Sequence, residues 1–446
     1  MEKYSRRDFL KLAGLAGGGL MMASSSLRAQ EAKKVNPSEE INLALVGVGA
    51  EGEVLLNSLL KIPGIRFRAV CDIWECRRRY ARGRIKGFTK QEVKDHLYED
   101  YKELLDKEKD LDAVVIATPD FWHSPQTVDF LKAGVNVYCE KMMSNTVEGA
   151  RAMVRAARES GKLLQIGHQR KSNPRYAFVR DVLLRKHNLC GTLMNANAQW
   201  NRAETKDLEF PTGASYEISD EVLHKYGYKD KQQFRNWRWY KGLGGGPISD
   251  LGAHQIDIFA YMFGGRPKSV LAGGGCDFYN KDWYDNVMCI YEFETYQKKT
   301  ARAFYQVLTT TAMGGYYEQF MGTEGTIRMS ENPSLTKIFM ENRPEIKGKW
   351  AALVNDGTLY EKKSQEEVKI EDARESPPPK EFGFDINLDK PIHMPHLENF
   401  LNAIRGKEKL NCDGEHAFEA EAAVYKVNEA VAAKKMLYFS DEDFVV

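Results

Sequence analysis

From residue 41 onward the chain alternates between two hydrophobic rhythms. The run "INLALV" is apolar at every position but Asn42, as in a strand covered on both faces, and "EVLLNSLL" just after it carries the 3.6-residue period of a helix. "IRFRAVCD", "LDAVVIAT" and "VNVYCEK" read as further strands, and helix-patterned stretches such as "HSPQTVDFLKAG" separate them. Strictly alternating strands and helices predict an α/β fold with a doubly wound parallel sheet over residues 41–166. In such a sheet, ligands collect outside the carboxyl ends of the strands. Further on, a loop at Gly244–Gly246 and Pro247 at a first helical turn predict a helix that stops at Gly264-Gly265. Leu251, Ile258 and Met262 form its apolar stripe, while Asp250 and His254, four residues apart, share another face. Two stretches, about 202–235 and 331–390, are polar and lack a period, which marks them as functional lids or loosely ordered loops.

Length and charge narrow the class. A chain of 446 residues can bury large cores and is expected to form two domains. With 64 basic and 63 acidic residues there is no charge excess to draw nucleic acid or an anionic membrane surface. The seven cysteines include no Cys-x-x-Cys pair, and Cys71 and Cys139 at strand ends read as small buried thiols. The one close histidine pair, His393-Met-Pro-His396, is interrupted by proline, so no metal is expected. At the front, "SRRDFLK" (5–11) followed by a weakly apolar run matches a twin-arginine signal. That run is shorter than the ~20 residues that span a bilayer, so no stable membrane insertion is expected. Residues 1–29 are thus assigned to a signal read by the twin-arginine export machinery, and 30–40 to a linker. The mature protein is expected in the periplasm, exported already folded.

Candidate chemistry begins at the first strand. Gly47-x-Gly49-x-x-Gly52 sits between a strand and a helix, the arrangement in which glycines allow a tight turn, close approach of a pyrophosphate, and tight helix packing. Asp72 ends the second strand, twenty residues past Gly52, where a carboxylate accepts both hydroxyls of an adenosine ribose. The ligand expected is therefore NAD. NADP is disfavoured because Asp72 repels a 2′-phosphate, although Arg77, Arg78 and Arg79 follow it. Thr118, Pro119, His123, Glu140 and Lys141 all fall at the ends of later strands, on the same side of the sheet.

The stretch "ATPDFWHSPQTVDFLKAGVNVYCEK", with its Thr-Pro-x-x-x-His turn and Glu-Lys strand end, resembles the glucose-fructose oxidoreductase / inositol dehydrogenase (Gfo/Idh/MocA) family. The family's usual proline after the lysine is Met142 here. "GGGPISDLGAHQID" is similar to the family's catalytic helix, and "GTEGTIRM" and the stretch 396–435 to its C-terminal domain. The resemblance implies a second α/β domain at 167–446 built on a large, open, mostly antiparallel sheet used for substrate binding and for assembly into a homodimer or homotetramer. It implies hydride transfer at a secondary hydroxyl of a sugar or glycoside, with C3 of a hexopyranoside the position favoured. In that reading His254 is the base, Lys141 stabilises the alkoxide and Asp250 aligns both. His168 and Arg170, after the last strand of the first domain, and Trp237 and Tyr240 of the "WRWY" run are the candidate substrate contacts. An exported protein meets no free nicotinamide pool, so the cofactor is expected to be held tightly and regenerated in place. Two other readings stand beside this one: a redox-neutral, NAD-dependent glycosidase working by oxidation, elimination, hydration and reduction, and a non-catalytic binding protein.

Overall fold

The computed structural model describes residues 39–203, 207–362, 372, 374 and 379–446; the proposed export signal and nearly all of the linker lie outside the described residues. Six parallel strands form the first sheet: β1 (Ile41–Val46), β2 (Ile65–Cys71), β3 (Leu97–Tyr98), β4 (Ala113–Ile116), β5 (Asn136–Cys139) and β6 (Leu164–Ile166). Their spatial order is β3-β2-β1-β4-β5-β6, so the chain changes direction between β1 and β4. Continuous apolar runs were needed because both faces are covered. Leu43, Leu45, Ala113 and Val115 face helices Ala50–Leu59 and Glu75–Thr89. Ala44, Val46, Val114 and Ile116 face helices Asp120–Lys132 and Val147–Ser160.

A ten-stranded sheet follows, antiparallel except where Thr300–Leu308 runs parallel to Leu193–Asn201. One of its faces packs on helices Ala253–Phe263 and Gly414–Ala433 through Phe259, Phe263, Tyr291, Phe293 and Phe320. The other face is open.

Two features depart from the expected layout. The boundary at 166/167 leaves helix Met394–Ile404 in the second domain, yet its Leu397, Phe400 and Leu401 are fully buried against the first sheet's core. Phe400 meets the Tyr138 ring edge-on at 5.9 Å. Phe400→Ala is accordingly expected to cost about 3–5 kcal/mol of stability, read from the denaturation midpoint; a loss under about 1 kcal/mol would place this helix outside the core. Secondly, of the two readings of the polar stretch near 202–235, its described residues from 207 on, with those that follow to 243, are not a loose loop. They fold into short helices, Asp220–Lys225 and Lys231–Arg235, around an apolar cluster of Ile218, Leu223, Tyr226 and Tyr228 that includes Trp74 of the first domain. All seven cysteines are unpaired, and Cys71 and Cys139 are buried. Among the described residues, no helix is long and apolar enough to cross a membrane, and no cluster of His, Cys, Asp and Glu has metal-binding geometry.

Candidate active site

A cleft of about 660 Å³ opens outside the carboxyl ends of β1, β2, β4 and β5, at the point where the strand order reverses. Its floor is the glycine turn. Gly47 sits at φ +87°, and a Cβ there would lie 2.7 Å from Ala117 carbonyl carbon. A Cβ on Gly52 would lie 2.1 Å from the Gly47 carbonyl oxygen, so the helix can approach the turn only without a side chain. A Cβ on Gly49 would meet no protein atom and would project into the cradle ahead of helix Ala50–Leu59. Asp72 bonds across the cradle: its Oδ2 accepts from the Val48 N–H at 2.7 Å and its Oδ1 from the Trp74 N–H at 2.8 Å. Burial raises its pKa, against those two amides. Arg78 donates to the Asp72 carbonyl and Arg79 to Glu75, so of the three arginines only Arg77 lines the cleft. Glycines that a Cβ would disrupt, a carboxylate at the ribose position and free space before a helix N-terminus fit a dinucleotide without a 2′-phosphate.

Thr118, Pro119, His123 and Glu140 come together along the next wall. The His123 ring lies between two carbonyls, Nδ1 at 2.6 Å from Met142 and Nε2 at 2.6 Å from Thr118, tying the Thr-Pro turn to the lysine loop. Burial outweighs both carbonyls and lowers its pKa to about 4, so the ring is neutral and donates to one of them. Glu140 accepts from the Tyr138 hydroxyl at 3.0 Å; burial, then the Glu51 carboxylate, push its pKa up to about 8. Behind this loop Glu421 accepts from the Met143 N–H at 2.7 Å, while Tyr425 donates to the Ser144 carbonyl at 2.6 Å. Helix Gly414–Ala433 thereby fixes the loop that carries Lys141.

Lys141, Asp250 and His254 meet at the inner end. Lys141 Nζ donates to the Asp250 carbonyl at 2.5 Å and lies 3.9 Å from its Oδ1. Asp250 belongs to a π-helical turn, Ile248–Gly252, that runs into helix Ala253–Phe263 and places its carboxylate and His254 on the cleft side. Burial raises the Asp250 pKa, but Arg238, Lys141 and Arg202 together outweigh it and bring it down to about 2. His254 is pushed well below its ordinary value, first by burial and then by Lys141 and Arg170, so its ring is neutral; its buried Nδ1 has no partner. Trp200 lies 5.8 Å from this ring and stacks on Tyr316 at 4.7 Å.

The expected substrate contacts divide. Trp237 lines the cleft. His168 and Arg170 do not: each is 1% exposed, behind the wall. The turn Gln169–Ser172 carries them inward, where His168 Nε2 meets Glu421 at 3.1 Å and Arg170 pairs with Glu318 and, at 2.9 Å, Glu331. A buried guanidinium needs those two carboxylates, and Arg170 lies 5.7 Å from the Trp200 ring. Tyr240 packs in the aromatic cluster with Trp74 rather than lining the cleft. Residues given no role from the sequence also line it: Asp120, Trp200, Arg202, Arg238 and His393. His393 heads helix Met394–Ile404 and its Nε2 lies 3.2 Å from Glu51.

Residues 41–168 match the family model of an oxidoreductase family with an NAD-binding Rossmann fold, and 218–328 match the Gfo/Idh/MocA C-terminal domain. The chain belongs to the Gfo/Idh/MocA family. Like other Gfo/Idh/MocA proteins, it therefore pairs an NAD-binding Rossmann domain with a sheet-based second domain. This Gfo/Idh/MocA chain is 25% identical to an alpha-N-acetylgalactosaminidase of Shewanella oneidensis over 286 residues, 59% of this chain and 58% of the relative. It is 32% identical to an inositol 2-dehydrogenase of Rubrobacter xylanophilus over 148 residues, 33% of this chain and 40% of the relative. The matches thus span less than two thirds of those relatives. The WlbA dehydrogenase of Chromobacterium violaceum, solved with NADH and UDP-GlcNAcA, superposes with a TM-score of 0.62 at 15% identity, over 90% of this chain and 96% of that one, a likeness of fold.

Proposed function

We propose that the protein is an NAD-dependent oxidoreductase that moves a hydride between a secondary hydroxyl of a sugar or glycoside, with C3 of a hexopyranoside favoured, and a tightly held dinucleotide. The observation that carries the reading is the meeting of Lys141, Asp250 and a neutral His254 in the cleft that starts at the glycine turn. The bound nicotinamide supplies the hydride acceptor. Neutral His254 takes the hydroxyl proton, and the Lys141 ammonium, held by Asp250, stabilises the negative charge that grows on the oxygen. Gly47, Gly49, Gly52 and Asp72 hold the adenosine and pyrophosphate portions, and Trp237 offers a ring to the sugar.

Tight retention is supported by the segment 207–243. Trp74, just after β2, donates its indole N–H to the Tyr216 carbonyl at 2.7 Å, and Trp122, after β4, donates to the Tyr226 carbonyl at 3.2 Å. The segment is thus pinned on both sides of the strand-order reversal, across the cleft mouth. A cofactor loaded before export and kept there suits passage by the twin-arginine route to the periplasm. Assembly into a homodimer or homotetramer is supported by exposed Met194, Leu271, Met288 and Ile290 on the open sheet. Mass spectrometry of the purified, denatured protein tests the proposal: stoichiometric NAD is expected, and protein that neither carries nor binds NAD would overturn it.

A second reading, redox-neutral glycoside cleavage, is favoured by the relatives named glycosyl hydrolase family 109 and alpha-N-acetylgalactosaminidase. Release of nitrophenol from nitrophenyl glycosides without added nicotinamide separates it from plain dehydrogenation.

The depressed His254 pKa has a kinetic consequence. An ordinary imidazole, near 6.5, is about three-quarters protonated at about pH 6 and has lost most of its base. His254 stays neutral there, so kcat/KM is expected to remain near its neutral value at about pH 6 and to fall only in more acid solution. A midpoint at the ordinary histidine value would contradict the assignment.

A further inference from the structure

We infer that Asp120 is a substrate-binding residue whose carboxyl holds the hydroxyl next to the one that is oxidised, so that the substrate must present two adjacent hydroxyl groups. This rests on the proposed dehydrogenase reading of the same cleft and names what the cleft recognises beside the reacting carbon.

Asp120 follows the Thr118-Pro119 turn and opens helix Asp120–Lys132, just past the end of β4. It lines the cleft and is 7% exposed. A carboxyl placed so deep ordinarily gathers donors, as Asp72 does from the Val48 and Trp74 amides and Glu318 from Arg170 and Tyr176. Asp120 gathers none. Among the described residues its carboxyl makes no hydrogen bond and no ion pair, and neither oxygen is sealed off, so both open onto the space that the residue lines. A polar side chain left in a cleft wall without a protein partner takes its partner from what binds there.

The charges around Asp120 place that partner at the inner end. Burial pushes its pKa up to about 7, opposed by Lys141 and then Arg238, and helped by the Asp250 and Glu421 carboxylates. Neither cation closes an ion pair with it. Lys141 is committed to the Asp250 carbonyl, and Arg238 to the Asp250 carboxylate at 2.9 Å, with Glu51 acting on the same guanidinium. A charged ligand group of either sign meets a like charge here, cations at Lys141 and Arg238 and anions at Asp250; a neutral group does not. Near neutrality both forms of the Asp120 carboxyl are present, so its partner must donate to one and accept from the other. An alcohol does both. Oxygens on adjacent carbons of a sugar ring lie within hydrogen-bond reach of each other, so Lys141 faces the oxygen that reacts while Asp120 holds its neighbour.

The test titrates NAD-loaded protein with methyl glycosides in gluco, galacto and manno configuration, each also in every monodeoxy form, following heat of binding and reduction of the bound cofactor. The monodeoxy form that gives no reduction marks the carbon oxidised. Loss of the hydroxyl on one adjacent carbon is expected to lower kcat/KM about ten- to a hundredfold, the worth of one hydrogen bond to a charged group. In Asp120→Ala the parent sugar should fall to the level of that deoxy form, so the ratio between them collapses toward one. NAD content and the thermal midpoint should hold, because the side chain removed has no protein bond to lose. Asp120→Asn, which keeps a donor and an acceptor in place, should restore part of the ratio. A parent-to-deoxy ratio unchanged in Asp120→Ala would overturn the inference and leave the dehydrogenase reading standing. With that ratio unchanged, loss of NAD would put the carboxyl on the cofactor, and a lowered midpoint would make it structural. Failure of every sugar to reduce the cofactor would overturn the dehydrogenase reading and this inference with it.

Discussion

His254→Ala is expected to lower glycoside oxidation by about a hundred- to ten-thousandfold while NAD stays bound. Both halves follow from where the ring sits. It is neutral, its buried Nδ1 has no protein partner, and it faces the cleft beside Lys141, so it is the available proton acceptor at the inner end. It touches neither the glycine turn nor Asp72, so its removal leaves the dinucleotide cradle intact. A variant that keeps more than about a tenth of the wild-type rate would remove His254 from the reaction.

Gly52→Ala is expected to yield protein that purifies without NAD. Its Cβ would lie 2.1 Å from the Gly47 carbonyl oxygen, where contacts under 3.0 Å do not occur, so the turn or the helix must move by about an ångström. That displacement pulls the helix N-terminus away from the pyrophosphate position. Gly49→Ala provides the control. Its methyl meets no protein atom, so thermal stability should hold while NAD affinity falls, because the methyl fills the cradle. If Gly52→Ala still carried full NAD, the glycine turn would not be the cofactor's seat.

The first sheet was legible because burial on both faces writes itself as unbroken apolar runs, as in residues 43–46 and Ala113–Ile116. The glycine turn, Asp72 and the Asp250–His254 pair were legible because their chemistry imposes a fixed spacing. The stretch near 202–235 shows no period in the sequence because Phe210, Tyr216, Tyr226, Tyr228 and Phe234 are spaced irregularly; they cluster on Trp74, far away in sequence. The return of helix Met394–Ile404 to the first domain is likewise a long-range contact that no local pattern encodes. The family resemblance puts His168 and Arg170 in the cleft, whereas the short turn that starts after His168 buries both, against Glu421 and Glu318. Arg202 belongs to no motif and Arg238 to the "WRWY" run read for its aromatic rings, and their convergence on Asp250 is a long-range contact that neither pattern encodes.

The central claim is that a resident NAD accepts hydride from a sugar positioned by Lys141 and His254. Its most direct test mixes the purified protein, with no nicotinamide added, with the glycoside panel and follows the absorbance of the bound cofactor through one turnover. A single stoichiometric rise in reduced nicotinamide that stays with the protein on gel filtration, and is absent in His254→Ala, is the predicted result. A bound cofactor whose redox state no sugar changes, or a rise undiminished in His254→Ala, would contradict the account.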